Sequence, residues 1–238
     1  MLHRGFWTLL VLAAGVILVI WKMNLAEGEA AQPAAPSAAS SEVEAGKASY
    51  AAISGFRSAK FGDDEDAVRS AIKSDFGKSG NDVRAVDSPV ARTRSLTLRA
   101  KDLIPETGDA ELGYILGYKS KDLIQVNILW GTPVTPETTG VSIAKTALLL
   151  RSYFAQQHYD PKTIIHDRKI RNGVLAFQAR DAEGHLVRLI YRETPIGKPA
   201  EKSDDKAKAE QKLAYTLILS YVADPKAPDV FKIEKGAF

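Results

Sequence analysis

The spacing of hydrophobic positions changes character several times along this chain. Residues 5–21, GFWTLLVLAAGVILVIW, form an unbroken apolar run with no charge, no proline and a tryptophan near each end. As a helix such a run covers roughly 25 Å, the short end of what crosses a bilayer core of about 30 Å. It is longer than the apolar core of a typical signal peptide, and Lys22 follows it directly. Both features predict an uncleaved anchor over residues 1–25, with Trp7 and Trp21 at the two interfaces and Leu10, Val16 and Ile20 facing lipid. The competing reading is a cleaved signal peptide, for which Gly28 and Ala30 offer a small-x-small pattern. Either way the charge bias, Arg4 before the run and Lys22 the only base after it until Lys47, places the amino terminus in the cytoplasm and the rest outside it.

Residues 26–52 are rich in Ala, Ser, Pro and Glu, with Pro33 and Pro36. They cannot bury enough apolar area to fold and read as a flexible linker. From residue 53 the pattern is that of a folded domain. Asp63 or Asp64 caps a helix whose apolar positions are Val68, Ala71, Ile72 and Phe76 and whose stop is Gly77. The period then falls to two. Strands are predicted over 83–86, 94–101 with Leu96, Leu98 and Ala100 on one face, 112–119, and 123–130 with Ile124, Val126, Ile128 and Trp130 on one face.

After Pro133 and Pro136 the pattern begins again. A helix is predicted over 142–158, with Ile143, Ala147, Leu150 and Phe154 along a stripe that Ala144 and Leu148 widen. Strands follow over 163–171, 174–180 after an Asn172-Gly173 turn, 186–193, and 213–222, the last preceded by a charged, solvated loop over 195–212. The expected fold class is α+β: an N-terminal transmembrane helix, a flexible linker, then two tandem helix-plus-antiparallel-sheet units of about four strands each. The units are residues 53–131 and 132–238. This order of elements resembles the tandem helix-and-sheet layout of β-lactamase inhibitor proteins. Each unit is also similar to the small lipoprotein of outer-membrane β-barrel assembly, without that protein's lipid-bearing cysteine. What the resemblance implies is a shape, a helix on one face of an antiparallel sheet.

Composition narrows the function classes. Arg4 and Lys22 are the only two of the 32 Lys and Arg before residue 25, so 32 − 2 leaves 30 bases against 29 acids in the rest. That near-neutral balance excludes the strongly basic face expected of a nucleic-acid binder. The absence of cysteine removes disulfides, thiolate nucleophiles and thiolate-held metals.

Candidate chemistry is sparse. The acid-rich helix start at 63–66 is the ordinary complement to a helix dipole. His158, His166 and His185, with Asp160 and Asp167 nearby, match no compact zinc spacing. There is no G-x-S-x-G elbow, phosphate-binding loop or G-x-G-x-x-G. No catalytic residue, cofactor or metal ligand is therefore expected. Arg92 and Arg94, in the densest basic stretch of the first unit, are candidate contacts for an anionic surface or an acidic partner. The expectation is a single-pass, exported, non-catalytic adaptor or accessory subunit of an envelope protein complex, whose partners are the lipid bilayer and another protein. The alternatives are a ligand-binding groove between the two units, lined by residues such as Tyr114, Tyr118, Trp130 and Tyr191, and an unrecognised hydrolase.

Overall fold

The computed structural model describes residues 50–196, 212–233 and 236, and the fold over them is α+β. The anchor residues Trp7, Leu10, Val16, Ile20 and Trp21 and most of the linker and charged loop lie outside the described residues. Among the described residues, no helix is long and apolar enough to cross a membrane.

Helix α1, Glu65–Phe76, begins where its sequence says it should: the Asp64 side chain accepts a hydrogen bond from the Ala67 N–H at 2.8 Å. It ends on Gly77, whose left-handed φ of 65° lets its N–H reach the Lys73 carbonyl. Val68, Ala71 and Ile72 form its buried side. Helix α2, Gly140–Ala155, is capped by Thr139 and buries Ile143, Thr146, Ala147, Leu150 and Phe154. It stops before residue 158 because the chain tightens there: Gln156 and Gln157 donate to the carbonyls three residues back, and the His158 carbonyl accepts instead from Ala51. Leu148, expected in the buried stripe, is exposed.

Among the described residues ten strands follow the chain as β1 (Gly55–Phe56), β2 (Ala59–Lys60), β3 (Arg84–Asp87), β4 (Arg94–Ala100), β5 (Ala110–Leu116), β6 (Leu123–Gly131), β7 (Ile165–Ile170), β8 (Gly173–Arg180), β9 (Leu186–Pro195) and β10 (Leu213–Val222). Strands β3 to β10 make one antiparallel sheet in the order β3-β4-β5-β6-β10-β9-β8-β7. Each run of four is a meander, and the two meanders meet through their last strands, with Ile128 opposite Leu219 and Trp130 opposite Leu217.

Both helices pack on the same face. The core there unites Val68, Ile72, Ile143, Leu150 and Phe154 of the helices with Leu96, Leu112, Tyr114, Ile128, Trp130, Phe177, Leu189 and Leu217 of six strands. Phe154 stacks on Phe177 at 5.7 Å and meets Tyr221 edge-on at 6.4 Å. The β1–β2 hairpin packs on this face too, with Phe56 at 5.6 Å from Tyr221 and the Arg57 guanidinium 4.7 Å from the centre of the Phe76 ring.

Strand β5 stops at Leu116, short of the expected residue 119. The C-terminal segment explains this. After β10 it runs along the strand ends, where the Asp229 carbonyl accepts from Tyr118 and the Asp229 carboxylate accepts from the N–H groups of Lys119 and Ser120, at 2.8–3.1 Å. Backbone donors captured by this strap cannot extend a ladder. Gly117 sits under it: a Cβ there would lie 2.3 Å from Asp229 Oδ2.

Candidate functional site: a polar row across the helix-free sheet face

Side chains two apart on a strand share a face, so the register defines rows that cross the sheet. One row on the face opposite the helices runs Arg84, Thr97, Gly113, Asn127, Ser220, Arg188, Gln178 and Ile165, one residue from each of the eight strands. Four neighbouring members, Asn127, Ser220, Arg188 and Gln178, are polar and buried. The rows on either side are largely apolar. Above lie Leu129, Ile218, Ile190 and Leu175, and below lie Ile115, Gln125, Val222 and Leu186. Leu129 and Ile218 join Val134, from the segment after β6, in a small second core that contains no helix residue.

One side-chain bond lies within the row and a second reaches it from Gln125 in the row below. Arg188 donates from Nε to Gln178 Oε1 at 2.8 Å, and Gln125 donates from Nε2 to Asn127 Oδ1 at 2.8 Å. Arg188 is a buried, fully charged residue, 7% exposed. Gln125 Oε1 and Asn127 Nδ2 are buried with no hydrogen-bond partner. Exchanging the O and N assignments of both amides keeps a bond between them, with Asn127 then donating to Gln125. On the same face Glu111 lies opposite Leu129; burial raises its carboxyl pKa above the ordinary value, opposed by Arg99 and Arg84. Amides give and accept hydrogen bonds and a guanidinium only gives them, and neither exchanges protons at neutral pH.

The residues singled out from sequence are distributed elsewhere. Arg92 sits in the β3–β4 turn at a positive φ of 52°, its guanidinium 3.8 Å from the Phe231 ring centre and 5.9 Å from that of Tyr118. Arg94, at the start of β4, pairs with Glu65 at 3.0 Å and Asp87 at 3.6 Å. Both guanidinium groups therefore have contacts within the chain. Of the four aromatics proposed to line a groove, Tyr114 and Trp130 are fully buried in the core, Tyr118 meets Phe231 edge-on, and the Tyr191 hydroxyl donates to Glu193. Tyr114 Oη and Trp130 Nε1 have no hydrogen-bond partner.

The three histidines have different surroundings. His158 lies tilted against the Tyr50 ring, His166 lies beside Asp167, and His185 faces Asp181 at 3.0 Å and Glu183 at 3.6 Å. The potential ligand atoms of Asp181, Glu183 and His185 lie within 4.8 Å of one another. The Asp181 carboxylate, however, already accepts from the N–H groups of Ile53, Glu183 and His185, at 2.9–3.0 Å, besides facing the imidazole. Its geometry is that of a clasp holding the start of the folded chain against the β8–β9 turn. At the other acidic cluster, Asp63 accepts from the Lys60 N–H, Asp64 caps α1, and Glu65 pairs with Arg69 and Arg94.

The polar row was missed in the sequence reading, although a signal was present. Gln125 and Asn127 interrupt β6 on the side opposite Val126 and Ile128, and Gln178, Arg188 and Ser220 each stand within an otherwise apolar stretch. Comparison with protein-family models, with curated proteins and with solved structures finds no match.

Proposed function

We propose that this chain is a membrane-anchored, exported, non-catalytic adaptor or accessory subunit of an envelope protein complex. In this reading residues 1–25 anchor it, 26–52 tether it, and 53–131 and 132–238 act as tandem helix-and-four-strand units joined through β6 and β10. The observation that supports contact as its mode of action is the polar row on the helix-free face. Unpaired buried amides cost stability, typically about 1–3 kcal/mol per group, and hydrogen bonding to a partner is a use that offsets such a cost. The flanking apolar rows are themselves 1–5% exposed, so a partner reaches the polar row only where the chain covering it opens.

The test is site-specific photo-crosslinking of the full-length protein in intact cells. Probes replace Arg84 or Arg168 at the two ends of the helix-free face, and Lys73 on the exposed side of α1 serves as control. Adducts with another protein from the first two positions, and none from Lys73, are the expected result. Uncrosslinked monomer at every position, under conditions that capture a known envelope complex, overturns the proposal.

A further inference from the structure

Helix α2 carries two apolar sides. One is buried, and the other presents Val141, Leu148, Leu149 and Tyr153, which are 68%, 59%, 52% and 56% exposed. Their spacing of i, i+7, i+8 and i+12 places them on one outward side of the helix. Lys145 is exposed among them, and α2 contains no acidic residue. The described chain begins at the same end of this helix. The Tyr50 ring lies 5.4 Å from the His158 ring, and the Ala51 N–H donates to the His158 carbonyl at 2.7 Å, three residues past the end of α2.

We infer that the outward side of α2 rests on the headgroup region of the bilayer that holds the anchor, an extension of the anchored topology proposed above. Position supports a lipid occupant. In the tethered topology proposed above, a flexible linker of the length of residues 26–52 reaches about 30 Å, comparable with the width of a fold whose radius of gyration is about 16 Å. The face at the root of the tether is therefore the one most often brought to the membrane, and attachment multiplies even a shallow affinity. Chemistry supports it as well. Leucine and tyrosine side chains with an interspersed lysine suit an interface bearing anionic headgroups. A second copy is a poorer occupant, because a two-fold contact through this side would bring Lys145 towards its own counterpart.

The cysteine-free sequence makes the test clean. Full-length Leu148→Cys, Leu149→Cys and Arg168→Cys proteins, each carrying one environment-sensitive fluorophore, are reconstituted into vesicles with and without phosphatidylglycerol and containing spin-labelled lipid. Sedimentation after carbonate washing reports the anchor separately. The inference expects pelleted protein, quenching at 148 and 149 several-fold greater than at 168, and stronger quenching with the anionic lipid. Pelleted protein with equal, weak quenching at all three positions overturns the inference and leaves the anchor standing. Protein that fails to pellet overturns the anchor and the inference with it. A disulfide-linked dimer of the unlabelled Leu148→Cys protein under air oxidation, with no quenching of the labelled one, assigns the surface to a second copy and also overturns the inference.

Discussion

Gln125→Met and Asn127→Leu, made singly and together, separate stability from use at the polar row. Gln125→Met nearly conserves side-chain volume. Asn127→Leu keeps the number and branching of the side-chain heavy atoms, but the methyl groups of leucine are bulkier than the amide they replace, an overpacking cost of about 1 kcal/mol at the buried position 127. Asn127→Leu removes the unpaired Nδ2 but deprives Gln125 Nε2 of its acceptor, exchanging one unmatched group for another and losing one hydrogen bond. With the overpacking, the expected net change is a loss of about 2 kcal/mol. Gln125→Met exchanges the unpaired Oε1 for an orphaned Asn127 Oδ1, with a loss of about 1 kcal/mol. The double variant removes both unmatched groups, a gain of about 1–3 kcal/mol each, against one lost bond of about 1 kcal/mol. After the overpacking cost at 127 it should be more stable than the parent by about 2 kcal/mol, or about 4–8 °C in Tm for a fold of this size. Calorimetry of the four proteins completes a double-mutant cycle in which two mildly harmful changes combine into a stabilising one. The same double variant should lose the crosslinked adducts at Arg84 and Arg168. A double variant melting at or below the parent would refute the reasoning, because the amides would then be matched and the row would be structural.

Three further outcomes follow from particular contacts. Phe154→Ala, which empties the stack against Phe177 and Tyr221, should cost about 3–5 kcal/mol in denaturant unfolding, while Leu148→Ala on the outward side of the same helix should cost under about 0.5 kcal/mol. Gly131→Ala should lower stability by about 2–5 kcal/mol or prevent folding, since Gly131 holds φ 116° and a Cβ there would lie 2.0 Å from the Tyr215 carbonyl oxygen. At Asp229 burial favours the neutral acid, but the hydrogen bonds from Ser120 and Lys119 outweigh it and hold the carboxyl below its ordinary value of 3.8. A depressed carboxyl stabilises the fold above that ordinary value and loses the effect as pH falls through the folded one. The stability advantage of the parent over Asp229→Asn should therefore be constant near neutral pH and close below pH 3.8, as read by urea titrations at each pH.

Elements that declare themselves locally were legible in the sequence. Asp64 and Gly77 bracket α1 as expected, the Asn172-Gly173 pair joins β7 to β8, and β10 has the expected bounds. What depended on distant partners was not legible. The shortened β5 answers to Asp229, more than a hundred residues away, and the end of α2 answers to Ala51. The β1–β2 hairpin, two residues a strand, is too short to carry a period, and its turn uses Arg57 at φ 54° rather than an Asn-Gly signal. Leu148 was assigned to the buried stripe because helical spacing cannot say which of two apolar sides finds the sheet. The polar row needed the β6–β10 pairing, since only that register brings Asn127 of one meander beside Ser220 and Arg188 of the other. For Arg92 and Arg94 the sequence showed the charge, and the structure added Phe231, Glu65 and Asp87 as its neighbours.

Everything proposed about partners presumes that the folded part lies across the membrane from the amino terminus. A topology reporter fused behind Phe238, of a kind active on only one side of the membrane, tests that placement in living cells. The account expects activity from the reporter that works outside the cytoplasm and silence from its cytosolic counterpart. Activity from the cytosolic reporter alone would contradict it.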